Sequence, residues 1–185
     1  ALSPDMKLFF FFFVSPSLLS IFSRLNIRLP FGDISVKEMC EREGHSVELF
    51  LMLASMHTDA TFTPAAEHLR PEMLKEVVEY LRASHRYYAE HMLPHTSAHL
   101  EKILQHCGEL FRSTLRRFYD DYTQYIVEHF KEEECNVFSI IDSCDIDNYT
   151  DCTGTLFDMP HADIDDRSND IASLIFKNLP EEAPT

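Results

Sequence analysis

The segment 111-FRSTLRRFYDDYTQYIVEHFKEEECNVFSII-141 decides the fold. Phe111, Leu115, Phe118, Tyr122 and Tyr125 recur at intervals of three and four, and the series resumes at Val137 and Ile140. That is the spacing of a helix that buries one stripe. His129 and Glu133 hold the two places in between, where Leu or Ile would be expected. Residues i and i+4 share a helix face, so both side chains aim at one point in the core. An imidazole and a carboxylate are costly to bury there unless something satisfies them. Two solutions stay open at this point. One is a His–Glu hydrogen bond inside a helix bundle; the other is a metal ion, for which imidazole nitrogen and carboxylate oxygen are good ligands.

His85 shifts the balance toward metal. An apolar-rich helix is expected from about Pro71 to Cys107, with Gly108 as its stop. A chain that turns back at Gly108 makes an antiparallel hairpin. His85 lies 23 residues before that glycine and His129 lies 21 after it. At ~1.5 Å per residue the two are level to within about 3 Å along the axis. Val78, Leu81, Met92 and Ile103 fall within roughly 40° of His85 on a helix of ~3.6 residues per turn, so His85 is expected to face inward. A further helix is expected over 161–179, with His161, Ile164, Ser168, Ile171, Ile175 and Leu179 on one face. His161 again replaces a core residue, and Asp165 repeats the i, i+4 geometry.

The segments SHRYYAEHMLP around His85, EHFKEEECNVF around His129 and Glu133, and PHADIDDRSNDI around His161 resemble the hemerythrin-like (HHE cation-binding) proteins. They are most similar to the bacterial di-iron proteins that repair iron–sulfur clusters after nitrosative and oxidative damage. The likeness covers roughly residues 16–180. It includes NIRLPFGDISVKEMCEREG (26–44), which is similar to the helical region preceding the metal domain in that family. The resemblance implies an all-α fold: an up-down helical bundle behind a small helical N-terminal domain. It implies His85, His129, Glu133, His161 and Asp165 as metal ligands, and one or two non-haem iron ions as cofactor, ahead of zinc or manganese. Implied partners are oxygen or nitric oxide and damaged iron–sulfur proteins. The implied role is a metal-binding stress-response protein rather than a turnover enzyme. Two departures stand out. Cys40 is solitary where the family often has adjacent cysteines, and no segment after Leu179 supplies the family's fourth helix. The expected bundle therefore lacks that helix, and a second copy of the chain, in a homodimer, is expected to cover the open side and the apolar Ile171, Ile175 and Leu179. The competing cover is Phe9–Phe13 within one chain. Rival functions are an oxygen, nitric oxide or iron sensor, and an interaction protein whose metal site has decayed.

Composition sets the outer bounds. With 185 residues, 45% hydrophobic and 25% charged, the chain is long and apolar enough to bury a core. Four glycines and the lack of alternating segments argue for helices. A formal charge of −15 argues against nucleic acid and anionic membranes as partners. The five cysteines, Cys40, Cys107, Cys135, Cys144 and Cys152, are odd in number and contain no CxxC, which fits reduced thiols in a cytoplasmic protein. Cys135 is expected to be a structural thiol rather than a redox partner of the site. Leu8–Val14 is too short to span a bilayer, which takes ~20 residues, and its phenylalanines are expected to pack inside the N-terminal domain.

The organisation expected is a small helical domain over 1–60, a connector over 61–71 with its own short helix after Thr63-Pro64, and the metal-binding bundle over 72–185. Ser35 and Glu38 fit a capping box, and Ser46 can cap the run from Val47. Pro94 is expected to kink or interrupt its helix. His91 is expected to point outward and His99 inward, far along the axis from His85, with His95 solvated and His106 farther still. Asp145 to Asp147 opens like a calcium loop but lacks the Gly and Glu that complete one. Glu132 and Glu134 are expected to be solvent-facing charge.

Overall fold

A computed structural model of the chain describes residues 2–10, 18–28, 32–59, 61–64 and 70–143. The expectations for 65–69, for the 161–179 helix with His161 and Asp165, and for Cys144 and Cys152 lie outside those residues. The described residues are mostly helical, with no strand beyond a single bridge between Lys7 and Ser35. The chain divides after Ser84 into two compact units.

The first unit contains α1 (Leu19–Arg24), α2 (Val36–Glu43), α3 (Val47–Thr58) and most of α4 (Leu74–Tyr87). The capping box forms as the sequence predicts. Ser35 Oγ accepts from the Glu38 N–H at 3.2 Å, and the Ser35 N–H donates to the Glu38 carboxylate at 2.7 Å. The Glu38 carboxyl is held below its usual range, chiefly by that backbone donor. Helix α2 ends on Gly44, whose φ of 78° suits a residue without a Cβ. Ser46 then caps α3 by accepting from the Leu49 N–H. Leu8, Leu18, Ile21, Phe22, Met39, Leu49 and Phe50 close the core, Phe22 meeting Phe50 edge-on at 5.5 Å. Cys40 is fully buried there, and burial, with Glu76 and Glu41 nearby, pushes its thiol up to about 12. Leu8 packs in this core, but Phe9 and Phe10 are exposed, contrary to expectation. Successive residues of a helical turn point in different directions, so one of the three faces inward and the others cannot follow.

Glu76 and Tyr80 of α4 make polar contacts within this unit. His45 Nδ1 lies 2.8 Å from one Glu76 oxygen, and the Ser46 N–H donates to the other at 3.1 Å. Tyr80 Oη meets His57 Nε2 and Arg24 Nη1, each at 3.0 Å.

In the second unit a π-helical turn, Tyr88–Met92, precedes α5 (Leu93–Leu104). After a short turn come α6 (Glu109–Glu132), a second π-helical stretch, Glu133–Phe138, and the short α7 (Ser139–Ser143). Pro94 has no N–H, and its ring would collide with the carbonyl four residues back. The helix widens just before it: the Leu93 N–H bonds to the Tyr88 carbonyl, five residues back. The α-helix is thus interrupted ahead of Pro94, as expected, by a π turn and not by a break in the helical run.

Each π turn inserts one residue into the helical count, and the buried stripe moves by one residue after each. Met92 and Ile103 were expected inside but are exposed; Leu93, Leu100 and Leu104 are buried instead. Ile140 is likewise exposed and Val137 only half-buried, while Phe138 and Ile141 are buried. Along α6 the buried positions are Leu115, Tyr119, Ile126 and His129, so Tyr119 takes the place expected of Phe118.

The hairpin is sealed by Leu100, Leu104, Leu115 and Tyr119 with Phe111 against them. Gly108 does not act as a left-handed stop. It is the N-cap of α6 with φ −62° and ψ 154°, and α5 has already ended at Leu104. Arg112 satisfies the carbonyls left over at that end, donating to Leu104 O and Cys107 O at 3.1 Å each. Arg116 forks onto Glu101 across the hairpin.

Two outcomes follow from this packing. Leu104→Ala should cost roughly 2–5 kcal/mol by opening a cavity, whereas Ile103→Ala should stay within about 0.5 kcal/mol, both read by denaturant unfolding. The reverse ranking would show that the stripe had not moved. For the first unit, the Glu76 hydrogen bond raises the pKa of His45 above its ordinary 6.5. A raised pKa means stability that is present below the unfolded value and lost as pH rises through the folded one. The stability gap between wild type and Glu76→Gln should therefore be widest in mildly acidic solution and narrow as pH climbs above 6.5.

Candidate functional site

The site grows from α4, α6 and the π stretch that follows α6. His85 lies in the last turn of α4, His129 in the last turn of α6, and Glu133 opens the π stretch one turn later. Both histidines are buried, at 8% and 5% exposure, and Glu133 is largely covered. Glu133 bridges them. Its Oε2 lies 3.1 Å from His85 Nε2 and its Oε1 lies 3.3 Å from His129 Nε2. The structure thus brings together three of the five residues singled out from the sequence. His161 and Asp165 fall outside the described residues.

A fourth group was missed by the sequence reading. Glu134 Oε1 lies 3.0 Å from His85 Nδ1, so both ring nitrogens of His85 face carboxylate oxygens. Glu134 was expected to be plain surface charge. The π turn changes the direction of its side chain, which remains 40% exposed. The available signal was the choice of where the apolar stripe resumes after Glu133. Taking Phe138 and Ile141 rather than Val137 and Ile140 implies one inserted residue, and with it a second carboxylate near the seam.

Aromatic rings hold His85 in place. Its ring stacks on Phe130 at 4.1 Å and 10°, and lies nearly parallel to Phe138 at 5.4 Å. Tyr88 meets Phe130 edge-on at 5.9 Å, and its hydroxyl is 3.4 Å from that of Tyr122. Burial, and then that neighbouring hydroxyl, push the Tyr88 phenol well above its usual range. Beside His85 opens a small cleft of about 150 Å³, lined in part by Arg86, Phe130, Lys131 and Glu134.

Among the described residues no group of three or more His, Cys, Asp and Glu side chains is disposed to hold a metal ion. His85, Glu133 and His129 form a chain of contacts, with the carboxylate in the middle. The donor chemistry nevertheless suits a metal. Donors placed ~2.1 Å from one ion are about 3.0 Å apart in an octahedral shell and about 3.4 Å apart in a tetrahedral one, and the two N···O separations lie in that range. Metal-ligating histidines characteristically give their second ring N–H to a carboxylate, the position Glu134 occupies on His85. The same separations are also those of hydrogen bonds.

The chain matches no protein-family model, no curated protein and no solved structure.

The remaining histidines of the second unit stand apart. His99 was expected on the inner face but is exposed, because the π turn moves Leu100 into that place. His91 and His106 are exposed as well. Cys135 is a free thiol, exposed on the π stretch.

Removing the shared carboxylate takes one partner from each of two buried imidazoles at once. Glu133→Ala should cost about 1–3 kcal/mol in the metal-free chain, read by urea unfolding. Glu134→Ala touches a pair open to water and should cost less than about 1 kcal/mol. Equal costs would show that Glu133 does not carry the bridge.

Proposed function

We propose that this chain is a hemerythrin-like non-haem iron protein that serves the repair of iron–sulfur clusters damaged by nitrosative or oxidative stress. The observation that supports this reading is the arrangement around Glu133: one carboxylate offering an oxygen to each of two buried imidazole Nε2 atoms, with Glu134 behind His85. His85 and His129 would each give a nitrogen and Glu133 would bridge or chelate, with His161 and Asp165 as the further donors named by the sequence. Bound iron would supply a redox-active Lewis acid with open positions for oxygen or nitric oxide.

The surrounding residues have definable tasks. Phe130 and Phe138 fix the plane of the His85 ring and keep bulk water from one side of it. By accepting a hydrogen bond from His85 Nδ1–H, Glu134 would leave the Nε2 lone pair free for a metal ion. The cleft beside His85 has room for a diatomic molecule.

The same separations equally support a second reading, in which the trio is a buried polar network in an interaction protein without metal. Elemental analysis and an optical spectrum of the anaerobically purified protein, from cells grown with added iron, separate the two. The first reading expects about one or two iron ions per chain, lost in Glu133→Gln, with retention weakened roughly 10- to 100-fold in Glu134→Gln. Iron-free wild type, or unchanged iron in Glu133→Gln, would leave the polar network as the role of these residues.

A further inference from the structure

On the outer face of α5, His95 and His99 stand one helical turn apart, and both are exposed. Their Nε2 atoms lie 3.1 Å from each other, with ring centroids 4.5 Å apart and ring planes at 71°. The two rings therefore aim the same nitrogen at one point. Two neutral imidazoles can hold this geometry by a single hydrogen bond, with opposite tautomers. When both are neutral and both carry the proton on Nδ1, the two Nε2 lone pairs converge instead.

We propose that His95 and His99 form a second metal site, a two-nitrogen clamp for a late first-row divalent cation, with Cu2+ bound ahead of Ni2+ and Zn2+. Zinc– and copper-type bonds to imidazole are ~2.0–2.1 Å long, so two nitrogens of one shell are about 2.9 Å apart at a right angle and about 3.4 Å apart at the tetrahedral angle. The observed 3.1 Å falls between these. No backbone movement is needed, because the helix already sets the span. Exposure leaves the remaining positions to water, which suits ions that tolerate a partly aqueous shell. The imidazole pair selects Cu2+ by the general order of divalent affinities.

This site is separate from the one around Glu133. His95 is ten residues beyond His85 on the same helical run, about 15 Å along the axis at the usual rise. His91, four residues before His95, is not part of the clamp; its ring lies against Tyr87 at 5.5 Å. Nor does the clamp depend on iron, since none of its atoms touches His85, Glu133 or His129.

The test is calorimetric titration of the metal-stripped full chain with Cu2+, with wild type compared to His95→Ala, His99→Ala and His91→Ala. Each variant leaves the Glu133 trio intact, so any Cu2+ taken up there cancels in the comparison. Losing one nitrogen turns a chelate into a single contact. His95→Ala and His99→Ala should each weaken one equivalent of Cu2+ by roughly 100-fold. His91→Ala should leave it unchanged, and circular dichroism should show the same helix content in all four. Nitrogen splitting in the electron paramagnetic resonance spectrum of bound Cu2+ should simplify in the first two variants only. Unchanged titrations in His95→Ala and His99→Ala would overturn the proposal, as would an equal loss in His91→Ala.

Discussion

The two long helical runs of the second unit must satisfy Pro94 on one run and a row of glutamates on the other without losing their apolar seam. An uninterrupted α-helix cannot do so, because every side chain is tied to a fixed angular step. Each run answers with a π turn. Tyr88–Met92 opens the ladder ahead of Pro94, and Glu133–Phe138 opens it where the carboxylates meet His85. What lies beyond each turn is rotated by one residue, so Leu93, Leu100 and Leu104 on one run, and Phe138 and Ile141 on the other, reach the interior. The site and the hairpin core therefore rest on the same two local deviations. π turns concentrate at functional sites, and here one of them begins at the residue that joins the two histidines.

Glu133 makes the polar interior tolerable. Two imidazoles without partners in an apolar seam would each carry a large desolvation cost. A single carboxylate offers one oxygen to each, Glu134 adds another for His85, and the phenyl faces of Phe130 and Phe138 complete the enclosure of that ring. The arrangement is economical in residues but depends heavily on one of them. A polar network that is fully satisfied adds rigidity, and one that loses its central member loses several contacts together.

Local chemistry was legible in the sequence wherever it acted over a few residues. Ser35 with Glu38, and Ser46 before Val47, marked helix starts because capping is a three-residue interaction. The convergence of His85 with His129 and Glu133 was also legible, since it required only the length of two helices and the turn between them. The places where reading failed share one cause. Met92, Ile103, Ile140, His99 and Glu134 were all assigned a direction by counting at a constant angle, across a point where the count gains a residue. Pro94 hinted at the first such point through its missing N–H. Nothing as local announced the second. Gly108 misled for a different reason: a glycine between helices suits either the end of one or the start of the next, and its backbone angles alone distinguish the two.

Cys40 carries a consequence of another kind. Its thiol is enclosed in the core of the first unit, where burial pushes its pKa up to about 12. At neutral pH the reactive thiolate is then strongly disfavoured, and reagents reach the buried sulfur when the helices part. Cys135, in the open on its π stretch, has no such barrier. One chain thus contains both a thiol that reports the presence of reagent and a thiol that reports the opening of its surroundings. The delay between the two modifications is a clock for the breathing of the first unit, running in native buffer without denaturant.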